Sequence, residues 1–293
     1  MDGGSRVRPL SAQVVKTNLQ GIRDFISVGD YDAALLQEVD APSRRSWYVD
    51  QVEALAGAFR GSSVFAYNFL APLVPYPVPE FIGKVASGLL TLNKFRVFRA
   101  ERISLPNPFS WPVRTVNLKR CLLAEWIPLR DSNRELVLVN LHLEAYDLNL
   151  NDLPLDAYND PGGREAQTRM LMDFLIVEYE KGNYCIAGGD FNRTFPGFDE
   201  TRFPLRNKDF WAAEVLSPSL FPEGWRYGAD LDTPSCRLLN KPYSGNSEDT
   251  QFYILDGFIL SPNVELVSVN TVNMEFRYSD HNPVELTAIL KQD

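Results

Sequence analysis

Histidine is nearly absent from this chain: His142 and His281 are the only two among 293 residues. Cysteine is almost as scarce, at three. An odd number, with Cys121 and Cys185 inside apolar strand-like runs, argues against a disulfide framework and for reduced packing residues. No run of about 20 apolar residues occurs, so no membrane-spanning helix is expected. The opening Met1–Arg8 is polar and Gly-rich with no apolar core behind it, which excludes a signal-peptide pattern as the chain stands. The expectation is a cytoplasmic protein, although Met1–Ser5 has the look of a cloning scar and a longer natural N-terminus could carry a signal. Linkers, repeats and low-complexity tracts are also missing. The chain therefore reads as one domain over residues 1–293, with 1–9 outside its fold.

Basic residues are in deficit, 29 against 38 acids, for a formal net charge of −9. Long nucleic acid is disfavoured as a partner, because affinity for a phosphate backbone comes mainly from basic faces. The charge is unevenly spread. Lys94 to Arg120 holds seven bases and one acid, so this window carries +6 and the remainder −15. Such a window suits an anionic substrate.

What is present is a series of apolar runs that end in polar, chemically capable residues. Leu10 to Ile26 has helical spacing, with Ser11 as its cap and a stop near Gly29. Strands are expected at Tyr31–Glu38, Ser87–Leu92, Phe95–Ile103, Cys121–Pro128, Leu136–His142, Asn183–Ala187, Phe252–Leu260, Glu265–Thr271 and Val284–Leu290. Helices are expected at Arg45–Phe59 and Arg164–Tyr179. Tyr67–Ile82 has four prolines and several aromatics and reads as an apolar loop folded on the core, with a substrate lid or a membrane-surface contact as alternatives. Leu143–Gly163 has five acids and lacks the ligand spacing of a calcium loop, so it reads as solvated. Arg193–Asp249 is irregular and of the length that often faces substrate.

Five motifs recur in order: Leu36-Gln37-Glu38-Val39-Asp40, Asn140-Leu141-His142-Leu143, Gly188-Gly189-Asp190-Phe191-Asn192, Ile254-Leu255-Asp256-Gly257-Phe258 and Ser279-Asp280-His281-Asn282-Pro283-Val284. Together they closely resemble the endonuclease/exonuclease/phosphatase superfamily, of the deoxyribonuclease I type, with sphingomyelinase and inositol phosphatase relatives. The resemblance implies an α/β (α+β) four-layer sandwich of two packed mixed sheets flanked by helices, with the site at one end. Pattern alone gives only a mixture of helices and strands.

Hydrolysis of a phosphate ester needs a hard cation, an in-line water and stabilisation of the departing oxyanion. By resemblance, Glu38 is the principal ligand of Mg2+ (Mn2+ or Ca2+ in its place) and Asp280 a second. Asp190 orients or deprotonates the water, Asn192 donates to the phosphate, and Asp256 holds His281 as base or phosphate stabiliser. His142 stands beside the leaving group. Arg237 is a candidate phosphate contact. On an extended segment Asp190 and Asn192 would share one face.

Two departures from the family pattern stand out. The strand that usually opens the fold and carries a metal-binding Asn is missing, since a helix begins within about ten residues of Met1; Asn18 lies within that helix and is left out of the site. No carboxylate stands before Cys121 to partner His142, where Lys119 and Arg120 occur instead. The expected activity is a metal-dependent phosphoesterase acting on a small molecule or lipid headgroup. A nuclease is the second reading and a catalytically impaired binding protein the third. No obligate protein partner is evident.

Overall fold

The computed structural model describes residues 6–109, 111–145, 163–239, 241–245 and 250–291. Most of the acid-rich stretch between Leu143 and Gly163 lies outside them. The first element is α1 (Ala12–Val28), capped by the Ser11 hydroxyl accepting from Val14 N and closed by Gly29 N donating to Phe25 O. It is followed by β1 (Ala33–Asp40), α2 (Gln51–Ala56), β2 (Ser62–Val74), β3 (Gly83–Asn93), β4 (Arg99–Ser104), β5 (Cys121–Pro128) and β6 (Glu135–His142). Then come α3 (Gly163–Glu180), β7 (Tyr184–Asp190), β8 (Arg226–Gly228), β9 (Cys236–Arg237), β10 (Phe252–Tyr253), β11 (Asp256–Leu260), β12 (Val264–Thr271) and β13 (Val284–Leu290).

One sheet has six strands in the order β4-β5-β6-β7-β11-β8, with β6 and β7 parallel and its other pairs antiparallel. Facing it is the three-stranded β1-β3-β2 sheet, and beside that the β12-β13 pair. The period-2 alternation of strand side chains builds the layers. On β5, Leu122, Ala124 and Trp126 face α3 through Leu171 and Leu175. Its alternate residues Cys121 and Leu123 face Ala66 and Leu89 of the second sheet. On β3, Leu90 and Leu92 turn the other way, onto Leu19 and Ile26 of α1 and Leu55 of α2. The order is therefore helix, sheet, sheet, helix. Each leucine fully buried in these interfaces contributes roughly 1.5–3 kcal/mol relative to exposure.

No strand precedes α1 among the described residues. Among those residues β1 is an edge strand of its sheet, and its leucines, Leu35 and Leu36, are only partly buried. β13 likewise pairs on one side only. Both strands pack on the same cluster, through Ala33 and Leu35 and through Leu286, Ala288 and Leu290, and the Tyr31 hydroxyl donates to Glu285.

Several expectations need correction. The helix expected over Arg45–Phe59 is a 3-10 turn at Arg44–Ser46 followed by the short α2, because Trp47 and Tyr48 take positive φ and Asp50 starts a new cap. Tyr67–Ile82 is not simply a loop. Its first half continues β2, where Pro72 is tolerated because β2 is the outer strand of its sheet. Phe252–Leu260 is two strands in different sheets, broken at Ile254-Leu255. The three cysteines are buried and free, as expected.

Candidate active site

The first sheet delivers three of its polar residues to one end. The parallel register sets His142 opposite Asp190, and the antiparallel register sets Asp256 opposite Asp190. Gly189, before Asp190, has φ +142, and a Cβ there would lie 2.1 Å from Leu141 O. Only glycine allows β7 to turn its aspartate in at that point.

Asp190 is the hub. His142 Nε2 lies 3.3 Å from its Oδ2, and Asn192 N donates to its Oδ1 at 2.8 Å. The Asn192 side chain also reaches Asp190, but by a turn with φ +49 rather than along an extended strand. Its amide donates to Leu143 O and to Asp190 Oδ2, so its hydrogens are committed to protein oxygens. Burial pushes the Asp190 carboxyl up, reinforced by the neighbouring Asp256 and opposed by the two histidines.

Asp256 holds the second imidazole, with His281 Nδ1 2.8 Å from its Oδ2. Ser235 completes the pair. Its hydroxyl donates to Asp256 Oδ2 at 2.7 Å and accepts from the backbone N–H groups of Leu255 and Asp256. Burial disfavours a charged His281, but Asp256 outweighs it and holds the imidazolium well above the usual histidine value.

His142 is driven the opposite way. Its burial first, then the nearby Arg120 guanidinium, push it down to about 4 against the pull of Asp190 and Glu38. Arg120 NH1 donates to His142 O and its Nε to Glu144. Among the described residues His142 Nδ1 is buried with no partner. The two imidazoles thus have opposite assignments at neutral pH, one neutral and one cationic.

Glu38 sits where β1 is broken by a bulge between Leu36 and Val39, with φ +53. Bulges of this kind re-aim a side chain. The carboxylate is half exposed and 3.3 Å from Arg45, which is itself anchored on Asp40 at 2.9 Å. Desolvation raises the Glu38 carboxyl, but Arg45, His142, Arg120 and His281 together outweigh it and hold it at about 2. Its position relative to the first sheet is set by Asn140, which donates to Leu36 O and accepts from Gln37.

Asp280 is half-buried and accepts from Ser279. Arg237 is buried, and its guanidinium donates to Leu238 O and Lys241 O. Its backbone N–H reaches Asp280 O at 3.0 Å. Asp190, His142, Asn192, Asp256 and His281 therefore form one connected group, with Glu38 in electrostatic reach of both histidines. Arg237 and Asp280 meet each other through the backbone.

Arg120, Ser235 and Arg45 were not found from sequence. Ser235 stands two residues before the noted Arg237, and Arg45 five after Asp40, but neither spacing signals a contact made through the fold.

Among the described residues no group of three or more His, Cys, Asp or Glu is assembled to hold a metal. The donor chemistry nonetheless fits a hard divalent ion. Glu38 is ionised and accessible, and magnesium takes few carboxylates and several waters. Arg45 shares that carboxylate and would have to yield an oxygen.

No helix among the described residues is long and apolar enough to cross a membrane. No curated protein matches the sequence. Solved structures do match in fold. An endonuclease/exonuclease/phosphatase from Beutenbergia cavernae is 15% identical with a TM-score of 0.60; the match covers 94% of this chain and 66% of that one. The human Nocturnin catalytic domain with bound sulfate is 18% identical, TM-score 0.54, over 93% of this chain and 87% of that one. A mannosyl-6-phosphatase from Bacteroides thetaiotaomicron is 13% identical, TM-score 0.54, over 94% and 91%. The model of the Endonuclease/Exonuclease/phosphatase family matches residues 17–281, a span that takes in Glu38, both histidines and all the carboxylates joined to them. The chain belongs to that family, and its sheets and flanking helices are the deoxyribonuclease I-like fold.

Proposed function

We propose that this protein is a divalent-metal-dependent phosphoesterase that hydrolyses a phosphodiester or phosphomonoester of a small molecule or lipid headgroup. The observation that carries this reading is Asp190 held between the neutral His142 and the Asp256–His281 ion pair. A carboxylate with a raised pKa is suited to take a proton from an attacking water. Asn192 and His142 fix its two oxygens, which makes them positioning residues for it. The His281 imidazolium, kept charged by Asp256, stabilises negative charge gathering on the phosphoryl oxygens. His142, neutral and buried, serves as a hydrogen-bonding group near the leaving oxygen.

Glu38 and Asp280 would hold the metal, which when bound supplies charge neutralisation at the phosphate. Mg2+ is the ion proposed, with Mn2+ or Ca2+ as substitutes. The substrate class rests on composition: the chain is acidic overall, which suits a compact phosphoester better than a long polyanion.

The test is turnover of bis(4-nitrophenyl) phosphate and a panel of nucleotide, inositol and lipid phosphoesters with Mg2+. We expect EDTA to abolish activity and Asp190→Ala or His281→Ala to lower kcat by about 10²–10⁴-fold, the range for lost acid–base and electrostatic groups. Turnover indifferent to all three changes would sink the reading.

A further inference from the structure

The β2–β3 hairpin carries an apolar surface that its own fold does not use. One face of the hairpin packs inward through Phe69, Ala71, Val74 and Val85, with Val116 and Leu118 against it. A strand with one solvated face ordinarily alternates apolar inside and polar outside. Here the outward positions are apolar too: Leu70 and Leu73 are 53% and 52% exposed. Beyond them, in the connection, Tyr76 and Val78 are 71% and 77% exposed. Trp111, on the segment that also supplies Val116 and Leu118, is 73% exposed.

The position of this surface is informative. Antiparallel pairing sets Asp40 level with Ser87, and β3 extends four residues further back to Gly83. At about 3.4 Å per residue the hairpin therefore projects roughly 14 Å past the end of β1 that bears Glu38. It overhangs the same end of the molecule as the site.

Charge then selects among occupants. In a chain of net charge −9, the neighbourhood of this hairpin is basic. Arg44 donates to Phe81 O, Lys84 is exposed at the base of β3, and Arg102 donates to Tyr67 O and Lys119 O. Arg114 is exposed on the connecting segment. The acid of the tip, Glu80, is paired with Arg8 at 3.2 Å. An apolar, aromatic tip above a collar of cations matches the layering of an anionic bilayer, with hydrocarbon beyond phosphate.

We propose that the β2–β3 hairpin docks this protein on an anionic lipid surface, with Leu73, Tyr76 and Val78 entering the interface and Lys84 and Arg114 set against headgroup phosphates. Docking stands on the hairpin alone. Its consequence, that the phosphoester cleaved is a lipid headgroup brought to the mouth of the site, rests on the phosphoesterase reading.

Flotation with vesicles of phosphatidylcholine alone or with 30% phosphatidylserine, in EDTA, tests docking apart from turnover. The expected result is at least about tenfold stronger partition onto the anionic vesicles. Leu73→Ser/Tyr76→Ser/Val78→Ser should lose about tenfold or more. Lys84→Gln and Arg114→Gln should each lose about fivefold, the factor that corresponds to about 1 kcal/mol per basic residue near such a surface. All variants should keep wild-type turnover of soluble bis(4-nitrophenyl) phosphate, because none of these residues is in the site. Wild-type protein that floats with neither vesicle would overturn the proposal. So would binding that ignores vesicle charge and survives the triple change, which would put the lipid contact on another surface. Flotation without turnover of any phosphoester would support docking and sink the enzymatic reading instead.

Discussion

At the scale of single residues, the polar positions that the fold gathers at one end were legible and their supports were not. Glu38, His142, Asp190, Asp256 and His281 are visible in sequence because each closes an apolar run, and a polar residue at the mouth of a buried strand has few structural uses. Ser235 and Arg120 act on those residues from other segments, and nothing local marks them. Glu125 is another such case. On β5 it looks like one polar position in an apolar strand, but it is wholly buried, with Asn93 donating to Oε2 and Oε1 left without a partner. Burial pushes its carboxyl up to about 7 against the pull of Asn93. With the folded value raised above the unfolded one, the folded state favours the neutral acid. The stability this gives is complete below about pH 4.5 and is lost progressively as pH rises toward 7. A shift of that size corresponds to about 3 kcal/mol. We expect urea midpoints of wild type to fall between pH 5 and 8, and those of Glu125→Gln, which keeps the acceptor for Asn93 and carries no charge, to fall much less. Parallel curves would show that Glu125 ionises without penalty.

At the scale of elements, most strands were readable, β2 was not, and strand partnership was not. The span of β5 and the span of β13 match expectation because period and breakers define them locally. The division of Phe252–Leu260 between two sheets depends on Ser235 and β9, about 20 residues earlier, which no window of sequence contains. Asn140 is the element-scale link on which the site depends. It is fully buried on β6, and its amide donates to Leu36 O on β1 and Leu90 O on β3 while its oxygen accepts from Gln37. It joins the two sheets just before the bulge that aims Glu38. Asn140→Leu fills the space but leaves these groups unsatisfied, at about 1–3 kcal/mol for each buried group left unpaired. The expected outcome is a loss of about 2–4 kcal/mol in denaturant unfolding. Remaining folded protein should show a larger fall in turnover than in affinity for a soluble phosphoester, since Glu38 would be misplaced. Unchanged stability would mean that Gln37 and the two carbonyls find other partners.

At the scale of the whole molecule, alternation of strands with amphipathic helices led no further than a mixed α/β chain. The two-sheet sandwich was implied only by the family resemblance that the five motifs carry, which holds long-range information that periodicity does not. Among the described residues β1, the strand that holds Glu38, pairs with β3 alone. A ligand that ties Glu38 to the opposite wall of the site should therefore stabilise the entire fold. Metal at about a hundred times its dissociation constant adds about 2.7 kcal/mol to a state that alone can bind it. For domains of 150–250 residues each kcal/mol moves Tm by about 2–4 °C, and somewhat less for a chain of this length. Mg2+ should raise the Tm of wild type by about 5 °C over protein in EDTA. Glu38→Gln removes the negative charge that attracts the ion and should abolish that increment, whatever the variant's own Tm. Since this readout is independent of turnover, a flat Tm in wild type across Mg2+, Mn2+ and Ca2+ would leave the carboxylate to Arg45 alone and support the binding-protein alternative over the enzyme.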